Sequence, residues 1–361
     1  MKIKSIELEN FRNYSSLSLE FDEGINIFYG DNAQGKTNLL EAVYMACTSK
    51  SQKSARDREM ISFDSKEAHI KLNLVKAEMS YRIDMHLKKN NTKGIAVNGV
   101  PIKRASELFG IANIVIFSPE DLNLIKNGPA ERRRFMDMEL CQLNRMYVHE
   151  LISYNRVINQ KNKLLKSAFV GNDIEAFLDV YNEQIVKYGS EVIRLRQKFT
   201  DRLNGIIKEI HKSMTGNAEE LELRYEPNVR PEEFEEALLR HRTQELKNAV
   251  SLIGPHKDDL SFILNGVDLK HFGSQGQQRT AVLSLKLSEL KLAEDINGDR
   301  PVLLLDDVLS ELDRNRQNML LSSINDIQTL ITCTGLDDFI DNRFHIDSVY
   351  RVSKGHITGD N

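Results

Sequence analysis

The sequence has few cysteines, no tryptophan and no long apolar run. Cys47, Cys141 and Cys333 lie far apart and form no C-x-x-C pair, which argues against a disulfide framework or a zinc site. No apolar run approaches the length of a transmembrane helix, and the first residues, MKIKSIELENF, alternate apolar and polar side chains as a strand does. We therefore expect buried thiols in a cytoplasmic protein that is not held in a membrane.

An overall excess of basic residues is also missing. The net charge is −4 and the isoelectric point is near 6.2, so any surface that binds nucleic acid must be a local patch. Residues 131–216 are a candidate, because they hold fifteen Lys and Arg against eleven Asp and Glu. Since aromatic residues are not interleaved with these charges, contact with a duplex backbone is favoured over stacking on single-stranded bases.

Two groups of basic residues are candidates for contact with DNA. The first group lies in the basic segment and comprises Lys161, Lys163, Arg194 and Arg196. The second group lies nearer the N-terminus and comprises Arg56, Arg58, Lys88, Lys89, Lys103 and Arg104. For each residue the alternative is a solvated surface with ordinary ion pairs. His256, near Asp258 and Asp259 in GPHKDD, lacks further ligands at metal-binding spacing, which favours a structural role.

Hydrophobic periodicity separates strand-rich parts from a helical part. Alternating patterns predict strands through the first hundred residues, with an N-G hairpin turn at 98–99. A long helix is predicted from Asp173 to Met214, about 60 Å at 1.5 Å per residue, with a turn and an N-cap in GND at 171–173. An apolar stripe on this helix predicts packing against the preceding helix. The stripe comprises Phe177, Tyr181, Ile185, Tyr188, Val192, Leu195, Phe199, Leu203, Ile206 and Ile210.

The eight residues GDNAQGKT match the phosphate-loop pattern G-x-x-x-x-G-K-[ST] at every fixed position. They lie between a strand pattern, INIFY, and a helical pattern, TNLLEAVYMA, which is the setting such a loop requires. Gly30 and Gly35 let the backbone curl around phosphate oxygens, Lys36 would reach the β- and γ-phosphates, and the Thr37 hydroxyl would hold Mg²⁺. The remaining loop residues are Asp31, Asn32, Ala33 and Gln34. The pattern therefore predicts a nucleotide site.

A second apolar run, PVLLLDD, ends in two acidic residues. A buried strand that delivers Asp306 at its carboxyl end is the second metal-site element of phosphate-loop enzymes. Asp306 would hold Mg²⁺ through water, and Asp307 would polarise the attacking water. Alone, this run would more simply be a strand followed by a turn, but the phosphate loop in the same chain favours the catalytic interpretation.

The segment FGSQGQQRTAVLSLKLSELKLAE predicts a helix that begins with Gly, Ser and Gln residues. Ser274, Gln275, Gly276 and Gln277 offer hydroxyl and backbone donors at the helix N-terminus, which predicts a second anion site. The alternative is a linker in which Ser274 caps its own helix.

Together these three elements resemble an ABC-type ATPase head, and more narrowly the branch related to the structural-maintenance-of-chromosomes family. The blocks FRNYSSLSLEF, FSPEDLNLIKNGPAERRRFMD and LIGPHKDDLSFILNG resemble the RecF family of bacterial recombination mediators, from Met1 to the terminal YRVSKGHI. The predicted fold is α/β, a phosphate-loop (ABC-type) ATPase head with an inserted α-helical arm domain. We expect the head in residues 1–128 and 246–361 and the arm in residues 129–245.

The resemblance implies ATP and Mg²⁺ as cofactors, binding to DNA at duplexes and gap junctions, and an ATP-dependent homodimer. In such a dimer, the loop from Ser274 to Gln277 completes the nucleotide site of the opposite subunit, and by analogy with related heads Arg12 reaches the phosphates. A surface position in a strand turn is the alternative for Arg12. The resemblance also implies slow, DNA-stimulated hydrolysis, RecR and RecO as partners, help in loading RecA at gaps, and support of the SOS response.

Three departures from the wider ABC pattern concern the hydrolysis step, and the first of them predicts slow turnover. The acid after the metal-binding residue is usually Glu, whereas here it is the shorter Asp307. Glu120 stands where a metal-coordinating Gln is expected, which makes it a second catalytic candidate, and only Thr334 stands near the expected switch His.

Two other function classes remain as alternatives. The first is a phosphate-loop NTPase or kinase acting on a small molecule, and the second is a related head with a nuclease or toxin–antitoxin role. The Ser274 loop and the helical insertion disfavour the first, and the sequence shows no nuclease-like acidic cluster for the second.

Overall fold

The computed structural model describes residues 1–53, 56–167, 175–324, 326–336 and 346–359. Its strands, in chain order, are β1 Lys2–Phe11, β2 Tyr14–Glu20, β3 Ile25–Tyr29, β4 Glu67–Lys76, β5 Met79–Lys88, β6 Gly94–Val97, β7 Val100–Pro101, β8 Ile114–Phe117, β9 Leu221–Glu226, β10 Asp259–Leu264, β11 Val267–Asp268, β12 Val302–Asp306, β13 Thr329–Cys333, β14 Ser348–Ser353 and β15 His356–Gly359. Its helices are α1 Lys36–Thr48, α2 Asn123–Lys126, α3 Pro129–Leu143, α4 Arg145–Ser167, α5 Glu175–Met214, α6 Phe234–Asn248, α7 Leu269–Phe272, α8 Gln275–Asn297 and α9 Arg314–Ser323.

Contacts divide the chain into two compact units, one formed by Met1–Asp121 with Val282–Asn361 and the other by Leu122–Ala281. The predicted domain boundaries at 128/129 and 245/246 stay a prediction, and the observed division differs most from the second of them. Residues 246–281 group with the helical unit, since β10 pairs with β9 along the whole length of both strands.

A six-stranded sheet in the first unit carries the phosphate loop. Its strand order is β15-β14-β3-β13-β12-β8, and all neighbours are parallel except the terminal pair β14 and β15. Strand β13 lies between β3 and β12, so the carboxyl ends of these three strands are adjacent at one edge of the sheet. This edge is where open parallel sheets bind ligands.

The second sheet of this unit is antiparallel, with the order β2-β1-β4-β5-β6-β7. Along most of β1 and β4, buried residues alternate with partly buried or exposed ones, and the inner side packs into one core with α1 through Ile6, Ile70 and Leu39. The predicted N-G turn is confirmed, because Asn98 and Gly99 join β6 to β7 with φ of 51° and 79°. The outer side of this sheet is polar.

The second unit contains the long helix that the apolar stripe predicts. Helix α5 runs from Glu175 to Met214, packs against α4, and buries stripe residues such as Val192 and Leu203. Phe177 was wrongly assigned to the buried stripe, because it is 62% exposed while its neighbour Leu178 packs against Leu165 instead. The predicted turn at 171–173 and the first predicted helical residue lie outside the described residues.

The expectation of buried thiols is confirmed. Cys47, Cys141 and Cys333 are all buried and free. Across the residues that the structure describes, no helix combines the length and the apolar character needed to span a bilayer.

Candidate nucleotide site

The phosphate loop joins β3 to α1 and depends on two glycines with positive φ. Gly30 has φ 150° and Gly35 has φ 117°. A Cβ atom on Gly30 would lie 2.4 Å from the Val352 carbonyl oxygen. A Cβ atom on Gly35 would lie 2.5 Å from the side-chain nitrogen Nδ2 of Asn13. The backbone conformation therefore disfavours larger residues at both positions, and at Gly30 the Val352 carbonyl also excludes them by space.

Lys36 begins α1 and is 7% exposed. Its ammonium group donates to the carbonyl oxygens of Gly30, at 2.6 Å, and Asp31, at 2.8 Å. These carbonyls hold the side chain folded back over the loop without neutralising its charge. The site therefore has a positive charge placed among backbone N–H groups, which suits phosphate oxygens.

Thr37 and Asp306 come together although they lie far apart in sequence. The Thr37 hydroxyl donates to Asp306 Oδ1 at 2.8 Å, and Thr332 on the intervening strand β13 donates to the same oxygen at 2.8 Å. Hydroxyl and carboxylate oxygens are the ligands that Mg²⁺ prefers. The two residues predicted to hold the metal are thus adjacent, with Thr332 orienting the carboxylate.

Asp307 follows β12 in a left-handed conformation, with φ 54°. Its N–H donates to the Thr332 carbonyl oxygen at 3.2 Å, and to the Thr332 hydroxyl at 3.1 Å. Burial raises the pKa of its carboxyl group above the ordinary value; the nearby Lys36 opposes this shift and the charge on Asp306 adds to it. A raised pKa makes the carboxylate a better proton acceptor than an ordinary aspartate.

These residues surround a pocket of about 270 Å³. It is lined by Asn32, Ala33, Gly35, Lys36, Thr37, Asn38, Asp306, Asp307 and Thr332. The pocket combines an anion-binding loop, oxygen ligands for a divalent cation and a proton acceptor. This is the arrangement that phosphoryl transfer from a nucleoside triphosphate to water requires.

Arg12, predicted to reach the phosphates, is engaged elsewhere in this structure. Its guanidinium forms an ion pair with the buried Glu41 at 2.9 Å, and donates to the Glu59 carbonyl oxygen at 3.0 Å. The next residue contacts the loop instead. Asn13 donates to the Gln34 carbonyl oxygen at 2.9 Å and accepts a hydrogen bond from Asn38 at 2.8 Å. Sequence reasoning missed Asn13, although it lies in the quoted FRNY block.

Glu120 and Thr334, which stand where an ABC ATPase has its metal-coordinating Gln and its switch His, do not line the pocket. Glu120 is exposed and pairs with Lys53 at 3.4 Å, so its predicted catalytic role stays a prediction that its contacts do not support. Thr334 is exposed beyond the end of β13. The threonine that does line the pocket is Thr332, two residues before Thr334 and within β13.

The Ser274 loop forms a reciprocal cap at the start of α8. The Ser274 N–H donates to Gln277 Oε1 at 2.9 Å, and the Gln277 N–H donates to Ser274 Oγ at 3.2 Å. This S-x-x-Q pattern is a capping box. Gln277 also donates to Glu219 at 2.8 Å, while Ser274 and Gln275 are exposed. The capping alternative for Ser274 is therefore realised, and a role in a second subunit stays a prediction.

Two of the four predicted DNA contacts in the helical unit are buried, which corrects their assignment. Lys161 is 1% exposed and pairs with Glu245 at 2.6 Å. Burial lowers the pKa of Lys161, with Glu245 opposing the shift. Arg196 is also buried, and it pairs with Asp258 at 2.9 Å and Asp137 at 2.8 Å. A buried, paired cation presents no charge to a phosphate backbone.

The other two predicted DNA contacts, Lys163 and Arg194, are exposed. Arg194 is 3.6 Å from Glu191 within its own helix, an ordinary surface pair. His256 has the structural role that its spacing favours, because its ring lies 2.6 Å from the Tyr154 hydroxyl and 3.1 Å from the Ser251 carbonyl oxygen.

Comparison with known proteins assigns the chain to a family. The model of a family described as AAA domain matches residues 5–251. The DNA replication and repair protein RecF of Lachnospira eligens is 56% identical over 363 residues, covering 100% of both chains. RecF of Lachnoclostridium phytofermentans is 54% identical over 99% of both chains. The chain belongs to the RecF family.

Solved structures agree with this assignment to the RecF family. The recombination mediator protein RecF with ATP, described as acting in the RecFOR pathway, is 34% identical, has a TM-score of 0.94, and covers 100% of this chain and 98% of that chain. The Smc head bound to the C-winged helix domain of ScpA shares the fold alone, at 16% identity and a TM-score of 0.58 over 100% of this chain and 97% of that chain. The predicted ABC-type ATPase head is therefore confirmed, and the small-molecule kinase alternative loses its support.

Proposed function

We propose that this protein is an ATP-dependent DNA-binding protein of recombinational repair and replication restart, with slow, DNA-stimulated ATPase activity. The ATPase activity rests on the hydrogen bond between the Thr37 hydroxyl and Asp306, beside Lys36. This bond brings the phosphate loop together with the acidic end of β12 in one pocket. The DNA part rests on membership of the RecF family, whose relatives are described as DNA replication and repair proteins.

The pocket residues have separate roles in this proposal. Lys36 and the loop N–H groups bind the phosphates, while the Thr37 hydroxyl would hold Mg²⁺ and Asp306 would hold it through water. Mg²⁺ supplies positive charge against the developing charge on the phosphate oxygens. Asp307 orients a water and accepts its proton, and its shorter side chain favours slow turnover, which suits a switch more than a motor.

The second anion site is proposed to act between subunits. Ser274 is exposed at the N-terminus of α8, a 23-residue helix whose dipole favours negative charge. In an ATP-dependent homodimer, the segment from Ser274 to Gln277 of one subunit would complete the phosphate site of the other. Hydrolysis would then release the dimer.

DNA contact is proposed for the exposed basic residues of the helical unit, Lys163 and Arg194. We propose duplexes and gap junctions as the DNA ligands, RecR and RecO as partners, and help in loading RecA and in the SOS response as the outcome. A structurally similar RecF is described as part of the RecFOR pathway, which supports the partner proposal.

Mixing two inactive variants tests the proposed composite site. Ser274→Arg should bind ATP but fail to dimerise or hydrolyse it, because the bulky cation blocks the partner's phosphate site. Lys36→Ala should fail because its own loop has lost the positive charge that binds the phosphates and no longer binds ATP tightly. A heterodimer of the two has one doubly damaged site and one site made only of intact parts. DNA-stimulated hydrolysis should therefore reappear in the mixture.

The control for this experiment is Ser274→Ala, which shortens the side chain without blocking the site and should hydrolyse ATP faster than Ser274→Arg. Sedimentation shows whether the heterodimer forms. If it forms and no mixing ratio restores hydrolysis, Ser274 acts only within its own chain as a cap, and the composite site is wrong.

A further inference from the structure

A cross-strand pair of histidines lies on the polar outer side of the antiparallel sheet. His69 on β4 and His86 on β5 are direct register partners, and their rings stack with centroids 4.0 Å apart and an interplanar angle of 21°. Glu67 precedes His69 by two residues on the same strand, so both side chains project to the same side. The Glu67 carboxylate lies 2.9 Å from His86 Nε2. None of these residues lines the nucleotide pocket.

The three side chains bring potential metal ligands close together. One ligand atom from each of Glu67, His69 and His86 lies within 4.8 Å of the other two. In a tetrahedral site with bonds of about 2.1 Å, ligand atoms lie roughly 3.4 Å apart. Two of the three side chains have room to rotate toward a shared ion, since Glu67 is 52% exposed and His86 is 31% exposed. Within the described ranges, no other group of three such side chains reaches this proximity.

The surroundings favour a cation. His69 and His86 line a groove of about 590 Å³ that acidic Glu7, Glu9 and Asp84 also line. Glu9 is the register partner of His69 on the side away from His86, so a carboxylate flanks the pair there as well. Two of these carboxylates have basic partners, Glu7 with Lys71 at 2.8 Å and Asp84 with Arg82 at 2.9 Å. The carboxylate that adds negative charge beside the histidine pair is therefore Glu9.

We propose that Glu67, His69 and His86 form a binding site for a transition-metal cation of the zinc class. Two imidazole nitrogens and one carboxylate oxygen suit Zn²⁺ and Co²⁺, whereas Mg²⁺ prefers oxygen ligands alone. The bound ion bridges β4 and β5 and keeps a fourth position for water. The site is therefore distinct in place and in metal preference from the Mg²⁺ site proposed beside the phosphate loop.

Zn²⁺ titration of the chelator-treated full chain tests this proposal. Calorimetry is performed without nucleotide and with excess Mg²⁺, which occupies sites made only of oxygen ligands. One Zn²⁺ should bind per chain, and Co²⁺ in its place should give the visible absorption of a low-symmetry site. His69→Asn and His86→Asn should each weaken Zn²⁺ binding by at least about 10- to 100-fold, the range seen even for residues that only support ligands.

His149→Asn is the matched control, because His149 is an exposed histidine beside a carboxylate, Glu150 at 3.0 Å, with no second histidine in the group. It should leave Zn²⁺ binding unchanged. Glu67→Gln keeps the shape of its side chain and should weaken binding without disturbing the fold, which circular dichroism checks. Absence of one-to-one Zn²⁺ binding in the wild type would overturn the proposal, and so would equal losses in His86→Asn and His149→Asn.

Discussion

Two arginines on one helix, Arg194 and Arg196, should respond in opposite ways to the same substitution. The charge pattern alone treats them as equivalent candidates for DNA contact. In the structure, Arg196 is buried among acceptors, whereas Arg194 is exposed beside Glu191. We expect Arg196→Met to destabilise the protein strongly and Arg194→Met to have little effect on stability.

The expected magnitude follows from the partners that Arg196 would leave behind. Its guanidinium donates to Asp258 at 2.9 Å, Asp137 at 2.8 Å, the Pro255 carbonyl oxygen at 2.7 Å and the Tyr147 hydroxyl at 3.0 Å. Removing one partner of a buried ion pair costs about 3–5 kcal/mol, because the remaining charge stays buried without compensation. An exposed pair within one helix contributes only about 0.3–0.5 kcal/mol. The two variants should therefore differ about tenfold in their effect on the free energy of unfolding.

Thermal and urea unfolding, followed by circular dichroism, measure this difference. For a unit of this size, about 2–4 °C of melting temperature per kcal/mol predicts a loss of roughly 6–20 °C in Arg196→Met. Arg196→Lys should fall between wild type and Arg196→Met, because an ammonium keeps the charge but cannot reproduce the planar fork. If Arg196→Met melts within a degree of Arg194→Met, the buried network does not stabilise the fold as described.

Three further predictions concern the nucleotide site and the DNA surface. Lys36→Ala should weaken ATP binding about 10- to 100-fold in calorimetry, because a hydrogen bond to a charged group contributes about that much affinity. The circular dichroism spectrum should stay unchanged. If the variant binds ATP as tightly as the wild type, Lys36 does not belong to the site. Asp307→Asn should keep ATP binding and slow hydrolysis by about 10²–10⁴-fold. Burial raises the pKa of Asp307, and only its ionised form accepts a proton. As the pH is lowered, the wild-type hydrolysis rate should therefore begin to fall at a higher pH than it would with an ordinary aspartate. If Asp307→Asn shows the same fall in rate at low pH, another group is responsible for it. Lys163→Glu should weaken DNA binding on every sequence and reduce its salt dependence, whereas Lys161→Met should not change the salt dependence. An unchanged salt dependence in Lys163→Glu would place Lys163 outside the DNA surface.

Local patterns were sufficient to predict the parts of the site that lie in continuous segments. The phosphate loop was predictable because Gly30, Lys36 and Thr37 stand at fixed spacing between a strand and a helix, and that spacing alone sets the backbone path. Asp306 was predictable because an apolar run of strand length places its last residue at the carboxyl end. The long helix α5 was predictable because its apolar residues repeat with the helical period over forty residues.

Features that depend on distant partners were not predictable in this way. The burial of Lys161 and Arg196 depends on Glu245 and Asp258, which lie 84 and 62 residues further along the chain. A charge count along the sequence has no information on which side of a helix other segments cover. Thr332 was missed for the same reason, since its role follows from the position of β13 between β3 and β12.

The sequence by itself thus determined that the protein has a site for nucleotide phosphates, because phosphate binding requires particular residue types at short, fixed separations. The tertiary structure alone decided which charges are exposed, which residues support the catalytic carboxylates, and that Glu67, His69 and His86 meet across two strands. These properties depend on strand register and on the packing of segments far apart in the chain, and neither is encoded in the spacing of neighbouring residues.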